Sequence, residues 1–307
     1  MNSETVTIVE VGPRDGFQSI VQQIPTNTKI ALIAQLHAAG IRRMEATAFV
    51  SPKAVPQLAD AAEVLSAAQA LPGLDAQVLV PNRRNAERAI DAGARHIAFV
   101  LSVSPRHNMN NVRRSPEDSA DEYAEIIKAL PDGVRVRLNL ATAFDCPFTG
   151  AVPAEATLDL LDKLVTIAPD AEICPCDTTG RVTPDRVQAL LERARERFPQ
   201  VSRWAYHGHD TYGLGVANAL AALRAGVTVI DASFAGLGGC PFAPGATGNV
   251  ATEDLVWTFD QMGIVSGVEL DLLMTAAREG AALPGALHGG RVRTALDARL
   301  CREEAVA

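Results

Sequence analysis

Residues 30–50 read IALIAQLHAAGIRRMEATAFV. The first ten carry apolar side chains at helical spacing, Gly40 follows an Ala pair, and a β-rich stretch begins at Arg43. Glycine takes the left-handed conformation beyond a helix end without a Cβ clash, so this junction predicts a helix stop followed at once by a strand. The same junction occurs twice more. Residues 85–92 lead through Gly93 into 96–103, and residues 216–225 lead through Gly226 into 227–234. Such alternation favours a parallel sheet with crossover helices.

Working outward, eight strands are expected, over residues 6–11, 43–47, 76–80, 96–101, 134–140, 171–174, 204–207 and 228–233. Most are continuous apolar runs, as suits strands covered on both faces. Segments 156–167 and 184–197 have helical spacing between them. Eight such units in 307 residues predict an α/β fold closed into a (β/α)8 TIM barrel rather than an open doubly wound sheet. The chain reads as one domain, 1–307, with the barrel at about 5–255 and extra C-terminal helices at about 256–300. From residue 283 on, the sequence is a Gly- and Arg-containing tail whose order the residues leave open.

A formal net charge of −8 leaves no basic footprint for nucleic acid. The five cysteines, Cys146, Cys174, Cys176, Cys240 and Cys301, are odd in number and scattered, which is not a disulfide framework. Residues 1–8 hold no apolar signal core, and no run approaches a membrane span. The expectation is a soluble, cytoplasmic protein of a reducing compartment, without a membrane or nucleic-acid partner. Barrels with added C-terminal helices commonly pair, so a homo-oligomer, first of all a dimer, is expected.

Chemistry in a barrel sits where strands end and βα loops begin, and the notable polar residues fall there. The first strand runs into Gly12-Pro13-Arg14-Asp15-Gly16, and the second carries Glu45 in an apolar stretch. The sixth runs into Asp177-Thr178-Thr179-Gly180, and the seventh ends in His207-Gly208-His209-Asp210. The eighth runs into Gly236-Leu237-Gly238-Gly239-Cys240 and, later, Asn249. Residues i and i+2 of a strand share a face, so His207 and His209 can reach one ion. Asp15 after the first strand and Asn249 after the eighth are neighbours once the barrel closes. Two imidazoles and two oxygens suit octahedral Mg2+ or Mn2+, and zinc is compatible with the imidazoles. Cys174-x-Cys176 lacks the second pair that a structural zinc site needs.

Arg14 beside Asp15 can give charge-assisted hydrogen bonds to a developing enolate oxygen. Glu45 on a buried strand needs a partner, and Arg14 on the neighbouring strand is the candidate. A glycine-rich loop around Cys240 can close over a ligand and bring a thiol that moves protons; it reads equally well as a tight turn.

Several segments together resemble the hydroxymethylglutaryl-CoA lyases, within a larger group of metal-dependent barrel lyases and Claisen-type synthases. They are Val9-Glu10-Val11-Gly12-Pro13-Arg14-Asp15-Gly16, Glu45 through Lys53, Cys146-Pro147-Phe148, His207 through Gly213, Ala235 through Phe242, and Gly245 through Asp254. The resemblance implies a divalent cation on Asp15, His207, His209 and Asn249. It also implies that Arg14 stabilises the enolate, Glu45 orients Arg14, and Cys240 is a mobile-loop cysteine. Asp177 and Asn111 match an acidic and an acyl-CoA-proximal position, and Gln18 joins Arg14 among the substrate-binding residues. The implied reaction is a retro-Claisen cleavage of an acyl-CoA with Asp15 or His207 as base. With hydroxymethylglutaryl-CoA it yields acetyl-CoA and acetoacetate, the chemistry of leucine degradation.

The sequence also departs from that family. Phe17-Gln18-Ser19-Ile20-Val21 stands where the family normally reads Leu-Gln-Asn-Glu and a basic residue. Cys174-Pro175-Cys176 and Pro105-Arg106-His107 are likewise unusual. These changes spare the metal ligands and flank the acyl pocket. A lyase for a different 3-hydroxyacyl-CoA therefore stays open. So do a metal-dependent aldolase acting on a non-CoA 4-hydroxy-2-oxo acid, and a binding barrel without catalysis. Arg106, Arg113 and Arg114 either meet CoA phosphates or form a solvated basic loop.

Overall fold

The computed structural model describes residues 4–239 and 248–306. Barrel strands are β1 (Thr7–Glu10), β2 (Arg43–Ala48), β3 (Asp75–Val80), β4 (His96–Ser102), β5 (Arg135–Ala141), β8 (Glu172–Asp177), β9 (Ala205–Gly208) and β10 (Val229–Ala232). A hairpin of β6 (Asp145–Cys146) and β7 (Gly150–Ala151) projects from the loop after β5. The helices are α1 (Thr26–Ala38), α2 (Ala61–Gln69), α3 (Arg83–Asp91), α4 (Pro105–Val112), α5 (Pro116–Ala129), α6 (Ala154–Ile167), α7 (Pro184–Arg197), α8 (Gly215–Arg224), α9 (Thr252–Met262), α10 (Leu270–Ala281) and α11 (Arg291–Val306). The eight strands close in the order β1-β10-β9-β8-β5-β4-β3-β2. All neighbours are parallel, with Val9 opposite both Asp231 and Arg43 where the barrel shuts. This is the (β/α)8 barrel.

Outward-facing side chains such as Ile8, Met44, Ile97, Leu138 and Ile173 meet apolar helix faces in one continuous core. The inside of the barrel differs from the expected apolar filling. Strands β2, β5, β8 and β10 place Arg43, Arg137, Glu172 and Asp231 inside it. Arg43 donates to Glu172 at 2.6 and 2.7 Å and to Gln77 at 3.0 Å. Arg137, 0 % exposed, donates to Asp231 at 2.7 Å and lies 3.4 Å from Glu172. A buried charge survives when paired and hydrogen-bonded, and this ladder supplies both.

One further departure concerns a length. Strand β8 runs through Pro175 and Cys176 to Asp177, beyond the expected residue 174; Pro175 lacks an N–H, yet Leu140 still pairs with it. The C-terminal helices expected after the barrel are present, with α11 lying in the tail whose order the sequence leaves open. Asp254 accepts the first N–H groups of α11, from Arg291 at 3.0 Å and Val292 at 2.8 Å, which is what an exposed helix start requires. Among the described residues no helix is long and apolar enough to cross a membrane.

The three helix-to-strand junctions form as their glycines suggest, with φ of +102° at Gly40, +91° at Gly93 and +80° at Gly226. Their surroundings differ. A Cβ at Gly40 would lie 2.2 Å from the carbonyl oxygen of Gly267, whereas one at Gly93 would meet nothing nearer than 3.7 Å. Gly93→Ala is therefore expected to cost about 1 kcal/mol in urea unfolding, the backbone penalty alone. Gly40→Ala should cost roughly 3 kcal/mol or more, because the clash is with backbone and adds to the strain. Equal costs would show that the contact between Gly40 and Gly267 is not tight.

Candidate active site

At the end of β1 the chain makes a single wide helical turn. Val11 carbonyl accepts from the N–H of Arg14 at 3.1 Å and of Asp15 at 2.7 Å. All five residues from Gly12 to Gly16 are buried, so the turn drives two charged side chains into the barrel mouth. It is held from behind by the Glu10 carboxyl. That group accepts from the N–H of Gly12 at 2.8 Å and of Phe234 at 3.0 Å, and from the Thr252 hydroxyl at 2.7 Å. Burial pushes the Glu10 carboxyl up to about 8, against the pull of those donors.

Arg14 meets Glu45 through two parallel hydrogen bonds of 3.0 Å, Nε to Oε1 and Nη2 to Oε2. Glu45 reaches it from β2, whose register against β3 slips between Glu45 and Thr47. Such a bulge re-aims side chains beside a site. Nη1 of Arg14 also donates to Asp15 Oδ1. Burial would lower the guanidinium, but Glu45 and Asp15 keep it protonated. For Asp15, burial pulls upward and is outweighed by the charges of Arg14, His207 and His209 and by the Asn249 amide. Its carboxyl lies at about 2 and is ionised at neutral pH.

His207 and His209 are on one face at the end of β9, their rings 5.2 Å apart. The segment after the glycine-rich loop returns antiparallel beside them. Asp210 N–H donates to Gly248 O and Val250 N–H to Gly208 O, which sets Asn249 next to His209. Asn249 Nδ2 donates to Asp15 Oδ2 at 2.8 Å and to Leu237 O at 3.0 Å. One ligand atom each from Asp15, His207 and His209 falls within 4.8 Å of the others. Two polar atoms here, His209 Nδ1 and Asn249 Oδ1, are buried without a partner among the described residues. Burial holds the His209 imidazole down at about 4, with the charges of His207 and Arg14 pushing the same way. A neutral imidazole, an unpaired amide oxygen and an ionised carboxylate together form a donor set that fits a divalent cation.

A group beneath the site was missed by sequence reasoning. His207 Nδ1 lies 3.1 Å from Asp231 Oδ2, and that oxygen also accepts from Arg137 at 2.7 Å. The signal existed, because Arg135, Arg137 and Asn139 alternate along β5 with Val136, Leu138 and Leu140. A period of two with polar residues on the inner face was hidden by reading the run as apolar.

The site opens into a cavity of about 440 Å³. Arg14, Asp15, His207 and His209 line it, with Gln18, Asn111, Arg113, Arg114 and Asn139 farther out or across. Gln18 Nε2 donates to Asp15 at 3.3 Å. Arg114 sits 3.4 Å from Glu122, while Arg106 is absent from the wall and stacks over Phe148 at 5.4 Å. Asp177 is not brought to the cavity. It faces away from the barrel and accepts from the N–H of Gly180 at 3.0 Å and of Val182 at 3.4 Å, so the inward residue at this level is Cys176. Burial raises Asp177 to about 6. Cys240 lies outside the described residues. Cys146, Cys174 and Cys176 are free and buried.

The chain is similar to known proteins over most of its length. Hydroxymethylglutaryl-CoA lyase of Pseudomonas mevalonii is 38% identical over 301 residues, 98% of this chain and 99% of that one. The mitochondrial enzyme of Bos taurus is 43% identical over 272 residues, 88% of this chain and 83% of that one. The structure of an HMG-CoA lyase from Acinetobacter baumannii, in complex with coenzyme A and 3-methylmalate, superposes with a TM-score of 0.90 at 36% identity, covering 96% of each chain. The lyase structure from Pseudomonas aeruginosa gives 0.90 at 36% identity, covering 97% of this chain and all of that one. The HMGL-like family model matches residues 5–279, and with those relatives it shows that the chain belongs to the HMGL-like family.

Proposed function

We propose that the chain is a metal-dependent carbon–carbon lyase. It cleaves 3-hydroxy-3-methylglutaryl-CoA, or a closely similar 3-hydroxyacyl thioester, to acetyl-CoA and a 3-oxo acid, acetoacetate in the first case. The observation that carries this reading is Arg14, gripped by Glu45 and set directly against the Asp15, His207 and His209 cluster in one cavity. An enolate needs a fixed cation at its oxygen, and a tertiary alcohol needs an acidified proton; the two needs are met side by side.

Asp15, His207, His209 and Asn249 are the residues that would hold the ion, and their mix of imidazole with hard oxygens suits Mg2+ or Mn2+. A bound divalent ion supplies Lewis acidity that lowers the pKa of the substrate hydroxyl. Asp15, ionised down to about 2, keeps oxygen lone pairs beyond the one given to the ion and is the base for the acidified hydroxyl in this reading. His207 has Asp231 behind Nδ1, so its single free lone pair, at Nε2, goes to the ion. As the hydroxyl proton leaves, the C–O bond becomes a carbonyl and the bond to the thioester α-carbon breaks. Its electron pair becomes the enolate of acetyl-CoA. Arg14 donates to that enolate oxygen, held by Glu45 so that no reorientation is needed. The enolate is then protonated at carbon, the step for which Cys240 is proposed. Arg113 and Arg114 at the mouth support a substrate bearing phosphates.

The same reading makes the protein a cytoplasmic homodimer. Buried free cysteines suit a reducing compartment, and exposed Trp257 on α9 with Leu272 on α10 suits pairing.

Two measurements test the site. Hydroxymethylglutaryl-CoA with Mg2+ or Mn2+ should give equal amounts of acetyl-CoA and acetoacetate, abolished by EDTA and restored by metal. Turnover of 4-hydroxy-2-oxo acids alone, with no thioester cleaved, would refute the thioester reading. The second measurement is thermal unfolding of the metal-free protein against pH. His209 is about 4 when folded against 6.5 for the free side chain, so the unfolded chain binds the extra proton between those values. The stability owed to neutral His209 is complete above about pH 6.5 and fades as pH falls toward 4. It amounts to about 3 kcal/mol, and His209→Asn should remove that part of the slope. Parallel curves would mean that His209 is not held neutral by burial.

A further inference from the structure

Five barrel strands begin with an ionisable residue: Arg43 on β2, Asp75 on β3, His96 on β4, Arg135 on β5 and Glu172 on β8. Parallel strands bring their first residues to one end of the barrel, here the end opposite the cavity. Asp75 accepts from both terminal nitrogens of the half-exposed Arg135 and lies 3.0 Å from His96 Nδ1. Arg43 Nε lies 3.6 Å from the same carboxylate, while its terminal nitrogens close on Glu172 at 2.6 and 2.7 Å. From there the charges alternate toward the site. Arg137 stands 3.4 Å from Glu172 and donates to Asp231 at 2.7 Å, and Asp231 Oδ2 lies 3.1 Å from His207 Nδ1. A file of ion pairs thus joins the bottom of the barrel to the imidazole at its mouth.

Glu172 stands between two guanidinium groups, and only one of them bonds it. Arg137 Nη1 is 3.4 Å from Glu172 Oε1, yet it makes no hydrogen bond among the described residues. The two short bonds from Arg43 satisfy the carboxylate, so it does not pull the second guanidinium out of line. Burial pushes the Glu172 carboxyl up, but the charges of Arg137 and Arg43 outweigh it and keep the group an anion. Glu172 is 3 % exposed, so without Arg43 it must take another donor, and Arg137 Nη1 is at hand. That bond would draw the guanidinium away from Asp231, whose Oδ1 has no partner among the described residues. Once unpinned, the Asp231 carboxylate can turn, and the imidazole it holds turns with it.

We propose that Arg43 is a positioning residue for the site at the other end of the barrel. By satisfying Glu172 it leaves Arg137 to Asp231, and so holds the His207 ring with Nε2 toward the ion. This rests on the metal-dependent reading for its effect on ion binding, whereas the aim of the ring is a property of the metal-free protein.

Arg43→Met and Glu172→Gln, made singly and together, separate this role from that of a brace for the barrel. Arg43→Met should raise the Kd for Mn2+, read from the EPR signal of the free ion, by about tenfold. Glu172→Gln and the double variant should both stay within about twofold of wild type, because a neutral amide does not compete for Arg137. In 15N-histidine spectra of the metal-free protein, the Nδ1–H form of His207 should give way to a mixture in Arg43→Met and return in the double variant. If Arg43→Met does not fold, Arg43→Lys replaces it, since lysine keeps the charge without the fork. A rise in Kd of roughly threefold, abolished by adding Glu172→Gln, is then expected. An unchanged Kd in the single variant would overturn the inference. So would equal weakening with and without Glu172→Gln, the mark of a brace. In both cases wild type still binds Mn2+, and the metal-dependent reading stands. If wild type binds no Mn2+, that reading falls, and the spectra decide the role of Arg43, an unshifted His207 overturning it.

Discussion

The placement of one cation, Arg137, constrains the rest of the site. A guanidinium with no exposure to water is tolerable only when its charge is paired, and here Asp231, Cys174 and Asn139 accept its hydrogen bonds while Glu172 lies 3.4 Å away as a second counter-charge. Those partners come from β10, β8 and β5, so the pairing ties together three strands that the chain reaches at widely separated points. Asp231 then has one oxygen shared between Arg137 and His207. The balance of charge that keeps the barrel closed inside is also what sets an imidazole at its mouth. Removing one partner would leave an uncompensated charge in the interior, which is far more costly than losing a surface pair.

The second ion pair, between Arg14 and Glu45, repeats the logic one level higher. Glu45 is buried and Arg14 nearly so, and each makes the other's burial tolerable. Because the fork to Glu45 uses two of its five N–H donors, the guanidinium has the others left for Asp15 and for whatever occupies the cavity. Asp15 in turn is drawn between Arg14, the Asn249 amide and two imidazoles. A carboxylate in that company stays ionised, and a neutral His209 beside it keeps a lone pair free. These are the electrostatic conditions for capturing a divalent ion, reached by residues from the first strand, the seventh barrel strand and the last loop.

The fold was legible because its punctuation is local. An Ala-Gly step after a helix has the same meaning wherever it stands, and α1, α3 and α8 end where Gly40, Gly93 and Gly226 place them. The pairing of His207 with His209 needs only strand periodicity. Bringing Asp15 and Asn249 to them needed barrel closure, which eight strands imply. What failed to show was the polar interior. Arg137 and Asp231 sit in runs whose apolar residues face outward into helices, so average hydropathy concealed them. Asp177 failed for the opposite reason. A carboxylate at a strand end reads as part of a site, but one residue of register turns it outward, where it serves loop N–H groups instead. The C-terminal helices were expected, but the start of α11 was not legible, since it depends on Asp254, a distant residue.

The central claim is that the Arg137 and Asp231 pair beneath the site decides which nitrogen of His207 faces the cavity. Nitrogen NMR of the metal-free protein labelled with 15N-histidine, at a pH where the ring is neutral, reads this directly. The account predicts a proton on Nδ1, donated to Asp231, and a bare Nε2 toward the cavity. A proton on Nε2 with Nδ1 bare would contradict it, because Asp231 would then not be orienting the imidazole.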